Sequence, residues 1–142
     1  SQSIVYLPIP DAFRPPKAIP APEGTAFDEE VAIDSVRLFR YSAATFNGHK
    51  IHYDRAYATE VEHYPGLIVH GPLQATLLIE RAVRHRGGAA PTTLSHRGVH
   101  PCFEHEPMRL VGVDEGAAMT LCTATPPSHG NHQCMQVKAE WA

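Results

Sequence analysis

The sequence lacks several features that would assign it to a particular class of protein. Only 19% of its 142 residues are charged, and 12 basic residues against 15 acidic ones leave a formal net charge of −3. That balance provides no general positive field for nucleic acid. No stretch approaches the roughly 20 apolar residues of a membrane span, and no basic segment followed by an apolar one opens the chain. We therefore expect neither nucleic acid nor a membrane as a partner.

Cysteine is also scarce. The three cysteines, Cys102, Cys122 and Cys134, are widely spaced and form no Cys-x-x-Cys pair. Such a set matches neither a disulfide framework nor a zinc knuckle. We predict buried, reduced thiols. They favour a reducing compartment, and we expect the cytoplasm of a bacterium or the mitochondrial matrix.

Proline is abundant but unevenly distributed. Six of the thirteen prolines lie in residues 1–24. Proline removes a backbone donor and restricts φ, so this stretch does not keep a helix or a central strand. We interpret residues 1–24 as a Pro-rich arm or linker, with a disordered tail as the alternative. Residues 25–142 are long enough, and the chain at 43% hydrophobic is apolar enough, for one domain with its own core.

The pattern of apolar and turn residues predicts an α+β domain over residues 25–142. A first strand at Thr25–Ile33 and a short helix capped by Asp34 precede a polar loop over residues 45–54. The best helix is Gly71–Arg86, which has Pro72 at its first position and is apolar around most of its circumference. Four β-like segments follow: Thr92–Phe103, Met108–Asp114, Ala117–Ala124 and His132–Trp141. This order predicts an antiparallel sheet curled around one buried helix.

Two polar segments before the long helix carry residues suited to catalysis. Asn47–Asp54 places an amide, two imidazoles and a carboxylate within eight residues of predicted loop. Histidine is the side chain best suited to proton transfer near neutral pH. Tyr64–Pro72 runs into the start of the helix, where backbone N–H groups can stabilise negative charge on a carbonyl oxygen. The two segments together favour proton transfer beside an oxyanion or a thioester carbonyl.

These residues resemble a known motif. The segment RLFRYSAATFNGHKIHYDRAYATEVEHYPGLIVHGPLQATLL, which begins at Arg37, resembles the hydration motif of MaoC-like hydratases and dehydratases. Within them it is most similar to the mitochondrial-type 3-hydroxyacyl-thioester dehydratases and the mesaconyl-C4-CoA hydratases. The similarity is densest over residues 36–82. It implies an α+β hot-dog fold, in which an antiparallel sheet wraps around a long central helix. It also implies a hydro-lyase that hydrates a 2-enoyl thioester, or dehydrates a 3-hydroxyacyl thioester, of coenzyme A or acyl carrier protein.

The resemblance also implies roles for individual residues. The family's loop carries an aspartate and a histidine five positions apart, and here His52 matches the histidine while Asn47 replaces the aspartate. His52 is then the acid/base. Asn47 would hold the water or hydroxyl, because an amide has no acid–base function near neutral pH. Gly71 would offer its backbone N–H to the thioester carbonyl. The candidates for binding the substrate are His49, His70 and Arg97.

Several alternatives remain open for these residues. His49 and His52 form a His-x-x-His pair that, with His63 or His70, is a possible zinc site, although the resemblance implies neither a metal nor a cofactor. Arg97 either contacts a phosphate of coenzyme A or forms a salt bridge within the sheet. The basic residues near the end of the long helix either face solvent or bind acyl carrier protein.

The function of the domain as a whole also has alternatives. It is either the hydratase or dehydratase already described, a non-catalytic acyl-thioester-binding or assembly module, or a hot-dog thioesterase. A single hot-dog domain normally pairs with a second one. The resemblance therefore implies a homodimer or a second hot-dog domain as partner, and relatives in this branch often fuse two such domains.

Overall fold

A five-stranded antiparallel sheet packs against one long helix in the computed structural model, which describes residues 3–5 and 7–142. Residues 1, 2 and 6 of the predicted arm lie outside the described residues. The helices are α1 (Ser35–Ala44) and α2 (Gly71–His85). The strands are β1 (Phe27–Val31), β2 (Thr93–Gly98), β3 (Met108–Asp114), β4 (Ala118–Ala124) and β5 (Gln133–Glu140), in the sheet order β1-β3-β4-β5-β2.

Helix α2 forms the core with the sheet. Leu73, Leu77 and Leu78 are buried, and the helix contacts β3, β4 and β5. Burying one such side chain contributes about 1.5–3 kcal/mol. Thr76 and Glu80 are exposed, so the apolar surface covers one broad side of the helix. This differs from the prediction, which was an apolar surface around most of the circumference.

The polar end of α2 is engaged locally. Arg81 pairs with Glu29 at 2.8 Å, and Arg84 lies 3.6 Å from Glu80. His85 and Arg86 both contact Asp114. The predicted basic helix end is therefore a set of side chains that each have an acidic neighbour within the domain.

The segment predicted as the strand Thr92–Phe103 is shorter than expected. Strand β2 ends at Gly98, because the N–H groups of Val99 and His100 both donate to the carbonyl of Cys134, at 2.8 and 3.1 Å, and the chain turns there. Pro101 then supplies no backbone donor for a ladder. Every residue of the edge strand β2 is exposed, and the helix packs on β3, β4 and β5.

The end of the Pro-rich arm contacts the sheet. Ile19 accepts a backbone hydrogen bond from Gln133 at 2.8 Å, and Ala21 donates one to Asn131 at 2.9 Å. Further up the arm, the ring of Phe13 packs on Tyr64 and Phe103, with ring centroids 5.7 Å apart in both pairs. The arm therefore contacts the domain at Phe13 and again at Ile19 and Ala21.

The cysteines and the helices of the described residues bear on two predictions made from composition. All three cysteines are buried free thiols, as predicted. Among the described helices, none combines the length and the apolar character that a membrane crossing requires.

Candidate active site

The loop after α1 places His52 in a buried position. Asp34 caps α1 by accepting from Arg37 N–H at 2.7 Å, and the chain leaves the helix through Phe46, which has a positive φ of 54°. A short 3₁₀ helix, Lys50–His52, follows and directs His52 inward, where the residue is 8% exposed. Asp54 then caps the next turn by accepting from Tyr57 N–H at 3.0 Å.

One hydrogen bond determines which nitrogen of His52 is basic. The Nδ1 of His52 lies 2.8 Å from the carbonyl oxygen of Ile68. A carbonyl only accepts, so Nδ1 carries the proton, and Nε2 keeps its lone pair in the neutral ring. The Ile68 carbonyl thereby orients the imidazole and leaves Nε2 as the atom that can take a proton.

His70 lies directly against His52. The two rings stack with centroids 3.7 Å apart and an interplanar angle of 18°. His70 is fully buried, and its Nε2 forms a 2.8 Å hydrogen bond with Ser42 Oγ of α1. The ring of Tyr41, also in α1, packs against the His70 ring, with centroids 4.8 Å apart. Helix α1 therefore fixes His70, and His70 supports the ring of His52.

Both stacked histidines are held in the neutral form. Burial, and after it the neighbouring His52, lowers the pKa of His70 to about 4. Burial also lowers the pKa of His52; the bond to Ile68 and the charge of Glu62 act in the opposite direction, and His49 adds to the lowering. At neutral pH His52 is consequently a base with a free Nε2.

His49 and Glu62 form the outer part of the cluster. His49 Nε2 lies 3.0 Å from Glu62 Oε1, and the His49 ring meets the His52 ring edge-on, with centroids 5.8 Å apart. The side chain of His49 is 51% exposed. It is therefore close enough to His52 to influence its charge state and exposed enough to meet a ligand.

Asn47 lies on the same loop, at the edge of an apolar groove. Its Oδ1 accepts from His49 N–H at 3.1 Å, which fixes the turn that leads to the 3₁₀ helix. The groove has a volume of about 400 Å³, and Asn47 and Ser42 line it together with Phe39, Phe46 and Tyr53. Asn47 and Ser42 add polar side chains to these walls, and the Tyr53 hydroxyl donates to the Gly48 carbonyl at 2.9 Å.

Gly71 opens α2 immediately after His70. The first N–H groups of a helix have no helical acceptor, so the Gly71 N–H belongs to the positive end of α2. A Cβ at Gly71 would lie 3.1 Å from Met135 Cε of β5. The buried side chain of Gln74 fixes this end of the helix, because it donates to the Val69 carbonyl at 3.1 Å and accepts from Thr123 Oγ1 at 2.6 Å.

The structure does not bring every candidate together. Arg97 lies on the exposed edge strand β2 opposite Gln136, and it forms no ion pair with another described residue. His49, His52, His63 and His70 do not gather three ligand atoms within 4.8 Å of one another in the part of the chain that the structure describes. The inner cluster is thus His52 with His70, and His49 adjoins it.

Three of the groups that build this cluster were not singled out from the sequence. They are the hydroxyl of Ser42, the carboxylate of Glu62 and the carbonyl of Ile68. Ser42 lies in α1 and Glu62 directly follows a helical turn, where polar residues are ordinary, and a carbonyl carries no sequence signal. All three lie within the segment that resembles the hydration motif, which pointed to the region without singling them out.

Solved structures share the fold. A MaoC-like dehydratase from Phytophthora capsici has a TM-score of 0.71 at 14% identity, over 89% of this chain and 45% of that one. The (R)-hydratase from A. caviae involved in PHA biosynthesis has a TM-score of 0.66 at 14% identity, over 94% of this chain and all of that one. At such identity the likeness shows the fold alone, and it confirms the predicted α+β hot-dog architecture.

The sequence itself has closer relatives. Mesaconyl-C(4)-CoA hydratase of Chloroflexus aurantiacus is 44% identical over 127 residues, which cover 84% of this chain and 43% of that protein. The mitochondrial hydroxyacyl-thioester dehydratase type 2 of Schizosaccharomyces pombe is 38% identical over 77 residues, which cover 53% of this chain and 26% of that protein. The chain thus spans less than half the length of either relative. The family model described as hydroxyacyl-thioester dehydratase type 2 matches residues 1–104, and the chain therefore belongs to that family.

Proposed function

We propose that this domain catalyses the reversible hydration of a 2-enoyl thioester, the reverse direction being dehydration of a 3-hydroxyacyl thioester. The observation that carries the proposal is the state of His52: a buried ring whose Nδ1–H is bound to the Ile68 carbonyl and whose Nε2 is left as the base. Membership of the hydroxyacyl-thioester dehydratase family supports the reaction type. Such positioned acid–base groups typically contribute about 10²–10⁴ in rate.

In the hydration direction His52 acts first as a base. Its Nε2 takes a proton from a water molecule while the water oxygen forms a bond to C3 of the enoyl group. The electron pair of the C2–C3 double bond moves toward the thioester carbonyl, and negative charge builds on that oxygen. The Gly71 N–H, at the positive end of α2, stabilises this charge. The imidazolium then returns the proton to C2, so that one water has been added and His52 is neutral again.

Asn47 and the groove serve substrate positioning. The Asn47 amide can donate to and accept from a water or a 3-hydroxyl, but it transfers no proton. The groove beside it is apolar, which suits an acyl chain or the thioester arm. His49, at the exposed side of His52, and Arg97, on the outer strand, supply imidazole and guanidinium groups for the carrier's polar parts.

The active unit we propose contains a second hot-dog layer. Strand β2 is fully exposed and β1 is the other edge of the sheet, and unpaired edges associate readily. The match covers only 43% of the length of its Chloroflexus relative, so more than half of that protein's length is unmatched by this chain. We therefore infer that the acyl pocket lies between this domain and a second copy or another hot-dog domain. The compartment we infer is a bacterial cytoplasm or the mitochondrial matrix.

An assay with two simultaneous readouts tests the reaction. Crotonyl-CoA and mesaconyl-CoA are mixed with the protein, and the absorbance of the enoyl thioester is followed while free thiol is measured in parallel. Loss of the enoyl absorbance without thiol release is expected. Release of free thiol with an intact double bond would instead identify a thioesterase. Binding of either thioester without any turnover would identify a non-catalytic acyl-binding module.

The role of His52 is tested in the same assay with two variants. His52→Gln should lower kcat by about 10²–10⁴ while the far-UV circular dichroism stays unchanged. His129→Gln changes an exposed histidine in the loop before β5 and is the matched control, expected to keep full turnover. Turnover of His52→Gln within a few-fold of the unmodified protein would contradict the assignment.

A further inference from the structure

A second histidine cluster lies outside the candidate active site. His100, His132 and Cys134 each place one ligand atom within 4.8 Å of the other two. His132 and Cys134 are alternate residues of an extended segment, so their side chains point to the same side. His100 follows β2, the neighbour of β5, and its N–H donates to the Cys134 carbonyl at 3.1 Å. The turn that ends β2 therefore brings the third side chain to this pair.

The two imidazoles are oriented as metal ligands usually are. His100 Nδ1 lies 2.9 Å from the Pro101 carbonyl, which can only accept, so the lone pair of the neutral ring is on Nε2. His132 Nδ1 lies 3.3 Å from Thr125 Oγ1, and His132 Nε2 is a buried nitrogen with no hydrogen-bond partner among the described residues. A metal-bound histidine almost always donates its other N–H to a carbonyl or another oxygen in this way. The ring centroids are 4.1 Å apart.

A buried thiol completes the donor set. Cys134 is 1% exposed, and its Sγ lies within 4.8 Å of the ligand atoms of His100 and His132. A neutral imidazole is the form that binds a metal, and a divalent cation displaces the thiol proton on binding.

We propose that His100, His132 and Cys134 form a binding site for a cation of the zinc class. Imidazole nitrogen and thiolate sulfur are ligands that zinc prefers, and a water molecule can take the fourth tetrahedral position. The ion would join the segment after β2 to the start of β5, in a structural role. The ligands come from positions 100, 132 and 134, a spacing that no zinc motif predicts, and the site uses none of the residues proposed for hydration.

Cobalt and zinc titrations of the unmodified protein test the site. After dialysis against a chelator, Co²⁺ should bind at one equivalent and produce the visible bands of tetrahedral cobalt together with a thiolate-to-cobalt charge-transfer band. Added Zn²⁺ should remove both. X-ray absorption of the zinc-loaded protein should show sulfur at about 2.3 Å and nitrogen at about 2.0–2.1 Å. A shell of nitrogen and oxygen alone, or cobalt binding without the charge-transfer band, would overturn the proposal.

Substitutions locate the ion and need no enzymatic readout. His132→Gln and Cys134→Ser should each weaken Co²⁺ binding by more than about 100-fold, since even changes to the groups that support metal ligands cost about 10–100-fold. His129→Gln, an exposed histidine in the same loop, is the matched control and should bind as the unmodified protein does. Circular dichroism checks that each variant is folded, and the X-ray absorption result stands without any variant. Loss of binding in His49→Gln but not in His132→Gln would place the ion elsewhere and overturn the proposal.

Discussion

The rings of His52 and His70 stack at 3.7 Å, and this contact joins the proposed base to the core of the domain. His70 is fully buried and bound to Ser42 of α1, whereas His52 is bound to the Ile68 carbonyl. Neither ring can turn without losing a hydrogen bond. Because burial keeps both rings neutral, the stack brings no charge repulsion at neutral pH, and the Nε2 of His52 is held in a defined direction.

Removal of the Ser42 hydroxyl should destabilise the domain. Ser42→Ala leaves the Nε2 of fully buried His70 without its partner, and an unsatisfied buried polar group costs about 1–3 kcal/mol in the free energy of unfolding. Urea unfolding measures this loss. Ser95→Ala, on the exposed strand β2, is the control and should stay within about 0.5 kcal/mol of the unmodified protein. Equal stability of the two variants would show that the hydroxyl does not support His70.

Asn47 should tolerate a carboxylate better than a methyl group. Asn47→Ala removes every hydrogen bond to water or a 3-hydroxyl and should lower kcat. Asn47→Asp keeps an acceptor at the same place, so it should retain substantial turnover with a changed pH profile, because the carboxylate titrates. Steady-state hydration of crotonyl-CoA over a range of pH measures both. Full activity in Asn47→Ala together with none in Asn47→Asp would mean that the amide takes no part in the reaction.

The acidic limb of the pH profile should respond to His49. The pKa of His52 is lowered below 6.5, so kcat/KM should fall only as the pH drops below that value and protonates the base. Burial is the main cause of the lowering; His49, when protonated, adds to it, and Glu62 opposes it. His49→Gln removes the ionisable ring and releases the carboxylate from its partner. Both changes favour protonated His52 and should move the limb to higher pH, whereas a limb that stays in place or moves lower would be inconsistent with this pairing.

His70 should make stability depend on pH between 6.5 and about 4. The pKa of His70 is about 4 in the folded state and 6.5 in the unfolded chain, so the unfolded chain binds the proton first. The free energy of unfolding should therefore fall as pH drops through this window, by on the order of 3 kcal/mol from this residue, and level off below the folded pKa. Urea unfolding at several pH values measures the slope. It should flatten in His70→Gln and stay unchanged in His129→Gln, and an equal slope in all three would remove His70 as its source.

The active species should be larger than one chain. A lone hot-dog sheet leaves β1 and β2 as unpaired edges and the groove beside Asn47 open to solvent. Static light scattering at the concentration used in the assay should give at least twice the mass of the 15.6 kDa chain, or a complex with a second hot-dog domain. A monodisperse, fully active species of 15.6 kDa would contradict the proposed pairing.

Local patterns were enough to predict most of the elements. The cap at Asp34, the Pro72 at the start of α2 and the apolar spacing of Leu73 and Leu77 act within a few residues, so they are legible without any tertiary contact. The hydration motif added the fold, because it identified the family to which the chain belongs. The end of β2 was missed, since the turn after Gly98 depends on the Cys134 carbonyl of another strand.

Long-range packing determined the chemistry of the candidate site. The sequence alone singled out His52, Asn47 and Gly71, because all three lie on the motif. The basic nitrogen of His52 was decided by Ile68, and the neutral state of His70 was decided by burial under α1 and Ser42. Likewise, His100 and His132 meet Cys134 only because β2 and β5 are neighbours in the sheet. Hydrogen-bond partners and burial depend on which segments meet in space, and a linear pattern carries that information only where a known family supplies it.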